Sequence, residues 1–113
     1  MAQTVLIVDD HEGFRRFARR LLEAGGLTVI GEATDGASAI AAAAELDPDL
    51  VLLDVMLPDG DGFAVAERIA QPVVLTSSHA QDDLSARLAR TSARGFVRKD
   101  DLSTEALLEI GAP

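Results

Sequence analysis

The chain has 113 residues, a length that supports one hydrophobic core but not two, and it contains no cysteine, which excludes disulfides, thiolate metal sites and thiol nucleophiles. Nineteen acidic residues against ten basic ones give a net charge of −9, which opposes binding to a phosphate backbone. Four Phe, without Trp or Tyr, offer few stacking platforms for single-stranded nucleic acid, whereas cations, basic protein surfaces and Mg²⁺-bound phosphates stay admissible partners.

Val5-Leu6-Ile7-Val8 is a continuous apolar run, the pattern of a strand buried on both faces, and Asp9-Asp10 ends it. It is too short for a signal peptide, and no apolar run approaches the roughly 20 residues of a membrane span, so a soluble cytoplasmic protein is expected. From Glu12 to Ala24, Phe14, Phe17, Ala18, Leu21 and Leu22 form one helical stripe, with Arg15, Arg16, Arg19 and Arg20 off it on a solvated face and Gly25-Gly26 as the stop. Leu27 to Ala33 reads as an edge strand. After the Asp35-Gly36 turn, Ala37 to Leu46 reads as an alanine-rich helix anchored by Ile40 and stopped before Pro48.

Leu50 to Leu53 is a second buried strand and it too ends in an acid, Asp54. Pro58 to Gly62 reads as loop, and Phe63 to Ala70 as a short helix with Phe63, Ala66, Ile69 and Ala70 inward. Val73-Val74-Leu75 is a further buried strand closed by Thr76-Ser77-Ser78. Asp82 to Thr91 reads as a polar helix with Leu84 and Leu88 inward. Gly95-Phe96-Val97 is a last short strand closing on Arg98-Lys99, and Ser103 caps a helix through Ile110. Five strands alternating with five helices predict an α/β fold, a doubly wound five-stranded parallel sheet with helices on both faces, in one domain over residues 1–113.

In such a sheet the crevice lies beyond the carboxyl ends of the strands. There the chain places Asp9 and Asp10, Asp54, Thr76 and Lys99, which become neighbours if the strand order is the common 2-1-3-4-5. Polar residues at strand ends are unremarkable one by one, but Lys99 is the only lysine beside nine arginines, a compact ammonium where a planar guanidinium would not substitute. Three carboxylates close together oppose one another's ionisation, and a divalent cation relieves them. Mg²⁺, which takes hard oxygen ligands together with a phosphate, suits this composition. Asp54 is then the candidate nucleophile for an aspartyl phosphate, with Lys99 and the Thr76 hydroxyl facing the phosphoryl oxygens.

The segments Val5-Leu6-Ile7-Val8-Asp9-Asp10, Leu52-Leu53-Asp54-Val55-Met56-Leu57-Pro58 with Asp61-Gly62, Val74-Leu75-Thr76-Ser77 and Gly95-Phe96-Val97-Arg98-Lys99 together resemble a response-regulator receiver domain, the phosphoacceptor of two-component signalling. Asp9-Asp10-His11, and Asp100 where proline is common, bring it nearer the receivers of LuxR-type regulators. The resemblance implies a flavodoxin-like fold and Asp54 phosphorylated by a sensor histidine kinase. It implies Mg²⁺ held by Asp10, Asp54 and the main-chain carbonyl of Met56, with Asp9 acting through water. Thr76 and Phe96 match the switch hydroxyl and switch aromatic, whose exchange of space would alter a face that binds a downstream protein. A signalling protein, not an enzyme, is expected, as a monomer or weak phosphorylation-dependent dimer with no direct contact to nucleic acid or membrane.

Other positions are read more plainly. His11 and His79 are expected to face solvent, Phe14 and Phe17 to be core, and Asp59 and Asp61 to be loop acids. The third and last helices are short for the resemblance, the third about two turns. Met56, apolar beside the presumed phosphoryl pocket, cannot orient an attacking water. An aspartyl-phosphate hydrolase is the competing reading, but it needs an acid where Met56 stands and a larger fold. A partner-binding relic is another, and the intact acid, hydroxyl and lysine set speaks against it. The initiating Met and the lack of a trailing linker favour a stand-alone protein.

Overall fold

The computed structural model describes residues 3–78 and 85–111. Its strands are β1 (Thr4–Val8), β2 (Thr28–Ala33), β3 (Leu50–Asp54), β4 (Met56–Leu57), β5 (Gly60–Asp61), β6 (Val73–Ser77) and β7 (Gly95–Arg98). Its helices are α1 (Glu12–Ala24), α2 (Gly36–Leu46), α3 (Gly62–Ala66), α4 (Ser85–Leu88) and α5 (Thr104–Gly111), with a short 3₁₀ turn at Lys99–Asp101. Five strands form one parallel sheet in the order β2-β1-β3-β6-β7. Because β6 and β7 are the fourth and fifth strands read from the sequence, this is the expected 2-1-3-4-5 flavodoxin-like arrangement, with β2 at the edge.

The apolar runs of β1, β3 and β6 are uninterrupted because both faces of the sheet are covered. Side chains alternate along a strand, so each run feeds two cores. Leu6, Val8, Val51, Leu53, Val73 and Leu75 point to one face and pack with Ala39 and Ala43 of α2 and Phe63 and Ala66 of α3. Val5, Ile7, Leu50, Leu52, Val74 and Val97 point to the other and pack with Ala18 and Leu22 of α1 and Leu107 of α5. The alanines of α2 let that helix lie close to the sheet.

Helix ends follow local chemistry. The α1 helix stops at Gly25, and Gly26 adopts φ 95°, a left-handed conformation open to glycine. The side chain of Asp35 accepts from the Ser38 amide to cap α2, which ends at left-handed Asp47 just before Pro48. Ser103 Oγ accepts from the Ala106 amide at the start of α5.

Several expectations are corrected. The segment read as loop from Pro58 to Gly62 holds a turn at Pro58 and Asp59, as expected, and then the short strand β5, which pairs antiparallel with β4 and carries the chain back over the end of β3. The α3 helix ends at Ala66, not Ala70, and residues 67–72, a turn and an irregular stretch closing on Pro72, lead into β6; Ile69 stays buried, Ala70 is exposed and Val65 is buried instead. The helical turn of α4 stops at Leu88, short of Thr91, with Leu88 inward as expected, whereas Leu84, His79 and the helix start at Asp82 lie outside the described residues.

Phe17 is not core: it is 50% exposed, because α1 buries its narrower seam through Ala18 and Leu22. The arginines of α1 are not uniformly solvated. Arg15 Nε and Arg19 Nε donate to the two carboxylate oxygens of Glu32 on β2 at 2.9 and 2.8 Å, while Arg16 and Arg20 stay exposed as expected, Arg16 near Glu12 at 3.6 Å. Glu32 thereby ties α1 to the edge strand.

Burial pushes the Glu32 carboxyl up, but the hydrogen bonds and charges of Arg19 and Arg15 outweigh it and hold it below its ordinary value of 4.5. A carboxyl depressed on folding stabilises the protein above its unfolded pKa, and that contribution is lost as pH falls through the folded one. Glu32→Gln is therefore expected to lower the unfolding free energy by about 1 kcal/mol at neutral pH in urea titrations, with the difference vanishing below the folded pKa. An unchanged difference down to that pH would contradict this role.

Candidate functional site

Parallel register brings the strand ends together. Asp9 follows β1, Asp54 is the last residue of β3, Thr76 pairs with Asp54 across β3 and β6, and Lys99 follows β7 directly. Asp9 sits where it does because its amide donates to the Ala33 carbonyl at 3.0 Å, while its own carbonyl accepts from Arg15 Nη1 at 2.7 Å. His11 opens α1, and its amide donates to Asp9 Oδ1 at 2.8 Å.

Lys99 Nζ lies 2.6 Å from Asp9 Oδ2 and 3.4 Å from Asp54 Oδ2, and its side chain is only 14% exposed. Asp9 and Asp54 are both buried. Asp54 Oδ1 also accepts from the Met56 amide at 3.1 Å. The His11 ring reaches Asp9 Oδ1 and Asp10 Oδ1, each at 3.1 Å, although the side chain is 70% exposed. Asp10, partly open to solvent, lines a cleft of about 250 Å³ with His11, Asp54, Met56, Leu57, Pro58 and Ser78. The Met56 side chain stands 58% exposed at its rim.

Of the residues singled out from the sequence, Asp9, Asp10, Asp54, Thr76 and Lys99 converge, and Met56 borders them. Phe96 is elsewhere, on β7 in register with Leu75 and partly buried against the core on the α3 side of the sheet. His11 faces solvent as expected, 70% exposed, while its ring Nδ1 also lies 3.1 Å from Asp9 Oδ1 and from Asp10 Oδ1. One participant was not foreseen. Phe14 was read only as core, yet its ring lies under Lys99 Nζ, 4.5 Å from the centroid. Nothing in local spacing could announce a contact with a residue so far along the chain.

Burial pushes both inner carboxyls up. For Asp9 it is outweighed by the Lys99 ammonium and the His11 amide, and its pKa lies below the ordinary value. For Asp54 burial prevails together with the neighbouring charge of Asp9, against the Met56 amide and Lys99, and its pKa lies above the ordinary value. Three carboxylates against one ammonium leave a charge of −2, and ligand atoms of Asp9, Asp10, His11 and Asp54 lie within 4.8 Å of one another. Hard oxygen donors with that residual charge fit a divalent cation such as Mg²⁺. Thr76 Oγ1 is buried and has no hydrogen-bond partner among the described residues. An unmade bond there costs about 1–3 kcal/mol, which an acceptor arriving beside Asp54 would recover.

The family model described as the response regulator receiver domain matches residues 5–110. A putative transcriptional regulator from Pseudomonas aeruginosa is 38% identical over 114 aligned residues, covering 96% of this chain and 55% of that protein. The nitrate/nitrite response regulator protein NarP of Escherichia coli is 42% identical over 112 residues, covering 93% and 51%. The chain thus spans about half the length of these curated relatives. Among solved structures, the signal receiver domain of the putative response regulator NarL from Mycobacterium tuberculosis superimposes with TM-score 0.87 at 32% identity, covering 97% of this chain and 96% of that one.

A carboxyl raised on folding costs stability when ionised, and the cost is relieved as pH falls below its folded pKa. In metal-free buffer at neutral pH, Asp54→Asn is expected to be more stable than the unsubstituted protein by ~1 kcal/mol in urea titrations, since it removes the charge and keeps an acceptor for the Met56 amide. The gap should close under acidic conditions. A less stable Asn variant would contradict the electrostatic account.

Proposed function

The chain belongs to the response regulator receiver domain family, and from that premise we propose that it is a phosphorylation-dependent switch, accepting a phosphoryl group on Asp54 from a sensor histidine kinase in a Mg²⁺-dependent reaction. The observation that carries this reading is the buried Asp54 carboxylate sharing the Lys99 ammonium with Asp9, with a hydroxyl in register beside it that has no partner among the described residues.

In the proposed transfer an Asp54 carboxylate oxygen attacks the phosphorus of a phosphohistidine. The P–O bond forms as the P–N bond breaks, and the imidazole leaves with the bonding pair. The Asp54 main-chain surroundings hold the attacking group still, because the Met56 amide fixes Oδ1. Lys99, already between the two acids, pairs with the new phosphoryl oxygens. Thr76 supplies its hydroxyl as a donor. Mg²⁺, held by Asp10, Asp54 and the Met56 carbonyl with Asp9 behind them, would supply the positive charge that lets an anionic phosphoryl group approach an acidic pocket. His11 shares the acids that would hold it.

Phe96 is the proposed second half of the switch. It is only partly buried, so the apolar space beside β6 can be redistributed when Thr76 turns toward the phosphoryl group. The face altered in this way would bind a downstream protein partner. We place the domain over the full 1–113 range, in the cytoplasm, as a monomer or weak phosphorylation-dependent dimer that contacts neither nucleic acid nor membrane itself. None of the described helices is long and apolar enough to cross a membrane. The names of a putative transcriptional regulator and a nitrate/nitrite response regulator among the relatives support a signalling role.

With Mg²⁺ and acetyl phosphate, the protein is expected to gain one phosphoryl group by mass spectrometry, and Asp54→Asn to gain none. Catalytic turnover of many phosphoesters, or no adduct at all, would overturn the proposal. Mg²⁺ alone should raise the thermal midpoint, and by less in Asp54→Asn. Because Met56 offers no hydrogen bond to an incoming water, the adduct should be long-lived, and Met56→Asn should shorten its lifetime about tenfold, the effect of one oriented hydrogen bond. An adduct lasting only seconds, unchanged in that variant, would refute the role of Met56.

A further inference from the structure

Phe14 lies in the first turns of α1, half-buried, with Lys99 Nζ over its ring at 4.5 Å from the centroid. An ammonium within about 6 Å of a ring face is attracted by the ring quadrupole, the more so when water is excluded. We propose that Phe14 is a positioning residue for the phosphoacceptor site: its ring face holds the Lys99 ammonium between Asp9 and Asp54, ready for the phosphoryl group.

The two carboxylates cannot fix this ammonium by themselves. They lie at unequal distances, 2.6 Å for Asp9 and 3.4 Å for Asp54, so on charge alone Nζ settles on Asp9. A lysine carries several rotatable bonds and a strongly hydrated head, both of which favour drift toward water. The ring covers a side of the ammonium that water would otherwise take. Attraction to a ring face has little directionality within the plane, so Nζ can shift from Asp9 toward an oxygen on Asp54 without leaving its support.

The platform itself is fixed. Arg15 Nη1 donates to the Asp9 carbonyl and the His11 amide donates to Asp9 Oδ1, so Asp9 and the first turn of α1 form one tied segment. Phe17 braces the ring from outside, with centroids 6.3 Å apart and planes inclined by 42°. The ring and the acid therefore arrive together, and Lys99 is delivered to them from the far end of the chain. Holding a charged group in its working place before reaction lowers the ordering cost at the moment of transfer.

The consequence for phosphoryl uptake rests on the proposed phosphoacceptor role, but the seat of the lysine does not, and the two are separable. Lys99 is the only lysine, so its ε-methylene protons give an unambiguous resonance. In the unsubstituted protein these protons should lie upfield of an ordinary lysine through the ring current. The shift should vanish in Phe14→Leu and Phe14→Met and persist in Phe14→Tyr. With Mg²⁺ and acetyl phosphate, the Leu and Met variants should take up the phosphoryl group about three- to tenfold more slowly, and Tyr should restore the rate, which lost packing alone would not explain. An ordinary ε-methylene shift in the unsubstituted protein, or uptake by a folded Leu or Met variant at the unsubstituted rate, overturns the inference. Should Leu not fold, the Met and Tyr pair decides. An upfield shift in a protein that takes up no phosphoryl group would leave the ring seat standing and defeat the phosphoacceptor role instead.

Discussion

The pocket depends on one ion arrangement, the Lys99 ammonium set between the buried carboxylates of Asp9 and Asp54. Without it two like charges would share a low-dielectric site, and an uncompensated buried charge costs several kcal/mol. The arrangement is possible only because the sheet is parallel and ordered β2-β1-β3-β6-β7. Lys99 leaves β7 and reaches acids at the ends of β3 and β1, so its side chain crosses the end of β6, and neighbouring strands stand about 4.8 Å apart. The residues that end β6 are small, Thr76 and Ser77. A bulky pair there would block the path, and a broad, planar guanidinium would not thread it as a narrow methylene stem does.

The electrostatics of this corner run against the rest of the fold. Elsewhere the choices agree: alternating apolar side chains feed two cores, helices are capped by Asp35 and Ser103, and Glu32 takes up two arginines. At the strand ends three acids face one lysine, burial raises the Asp54 pKa, and a buried threonine hydroxyl has no partner among the described residues. Local conflict concentrated at one place in an otherwise consistent structure marks the place where stability has been yielded to chemistry. The conflict is also specific in kind. Added positive charge near Asp10 and an oxygen acceptor near Thr76 would relieve it, and the proposed cation and phosphoryl group would bring both.

The sequence made this corner readable because strand ends are legible. Uninterrupted β-branched and leucine runs that stop at Asp9 and Asp54 announce buried parallel strands, and the rule for parallel sheets then locates the crevice. Composition made Lys99 conspicuous. What escaped reading depends on contacts between distant segments. The exposure of Phe17 follows from how far α1 rolls on the sheet, which a helical stripe does not specify. The pairing of Arg15 and Arg19 with Glu32 needs the position of β2 relative to α1. The hairpin at Met56–Leu57 and Gly60–Asp61 is too short to carry a period. The end of α3 at Ala66 is set by the turn into Pro72, while apolar spacing alone would have run the helix on to Ala70.

That hairpin explains why the two sides of the pocket differ in kind. On the Asp54 side the backbone is clamped. Gly62 packs so closely on the end of β3 that a Cβ there would fall 2.6 Å from Val55 Cα, and its amide donates to the Val55 carbonyl at 2.8 Å. Asp61 accepts from the Phe63 amide to start α3. Asp59 accepts from the Gly36 and Ala37 amides at 2.7 and 3.1 Å, joining the same loop to the start of α2. On the opposite side, β6 carries the hydroxyl without a described partner and β7 carries Phe96, whose ring is incompletely covered. A close-packed, fully bonded wall resists displacement, whereas a wall with an unsatisfied polar atom and open apolar surface has a second arrangement within reach. The asymmetry is built by small residues on one side and by missing bonds on the other, and it gives a charge added at Asp54 a direction in which to act.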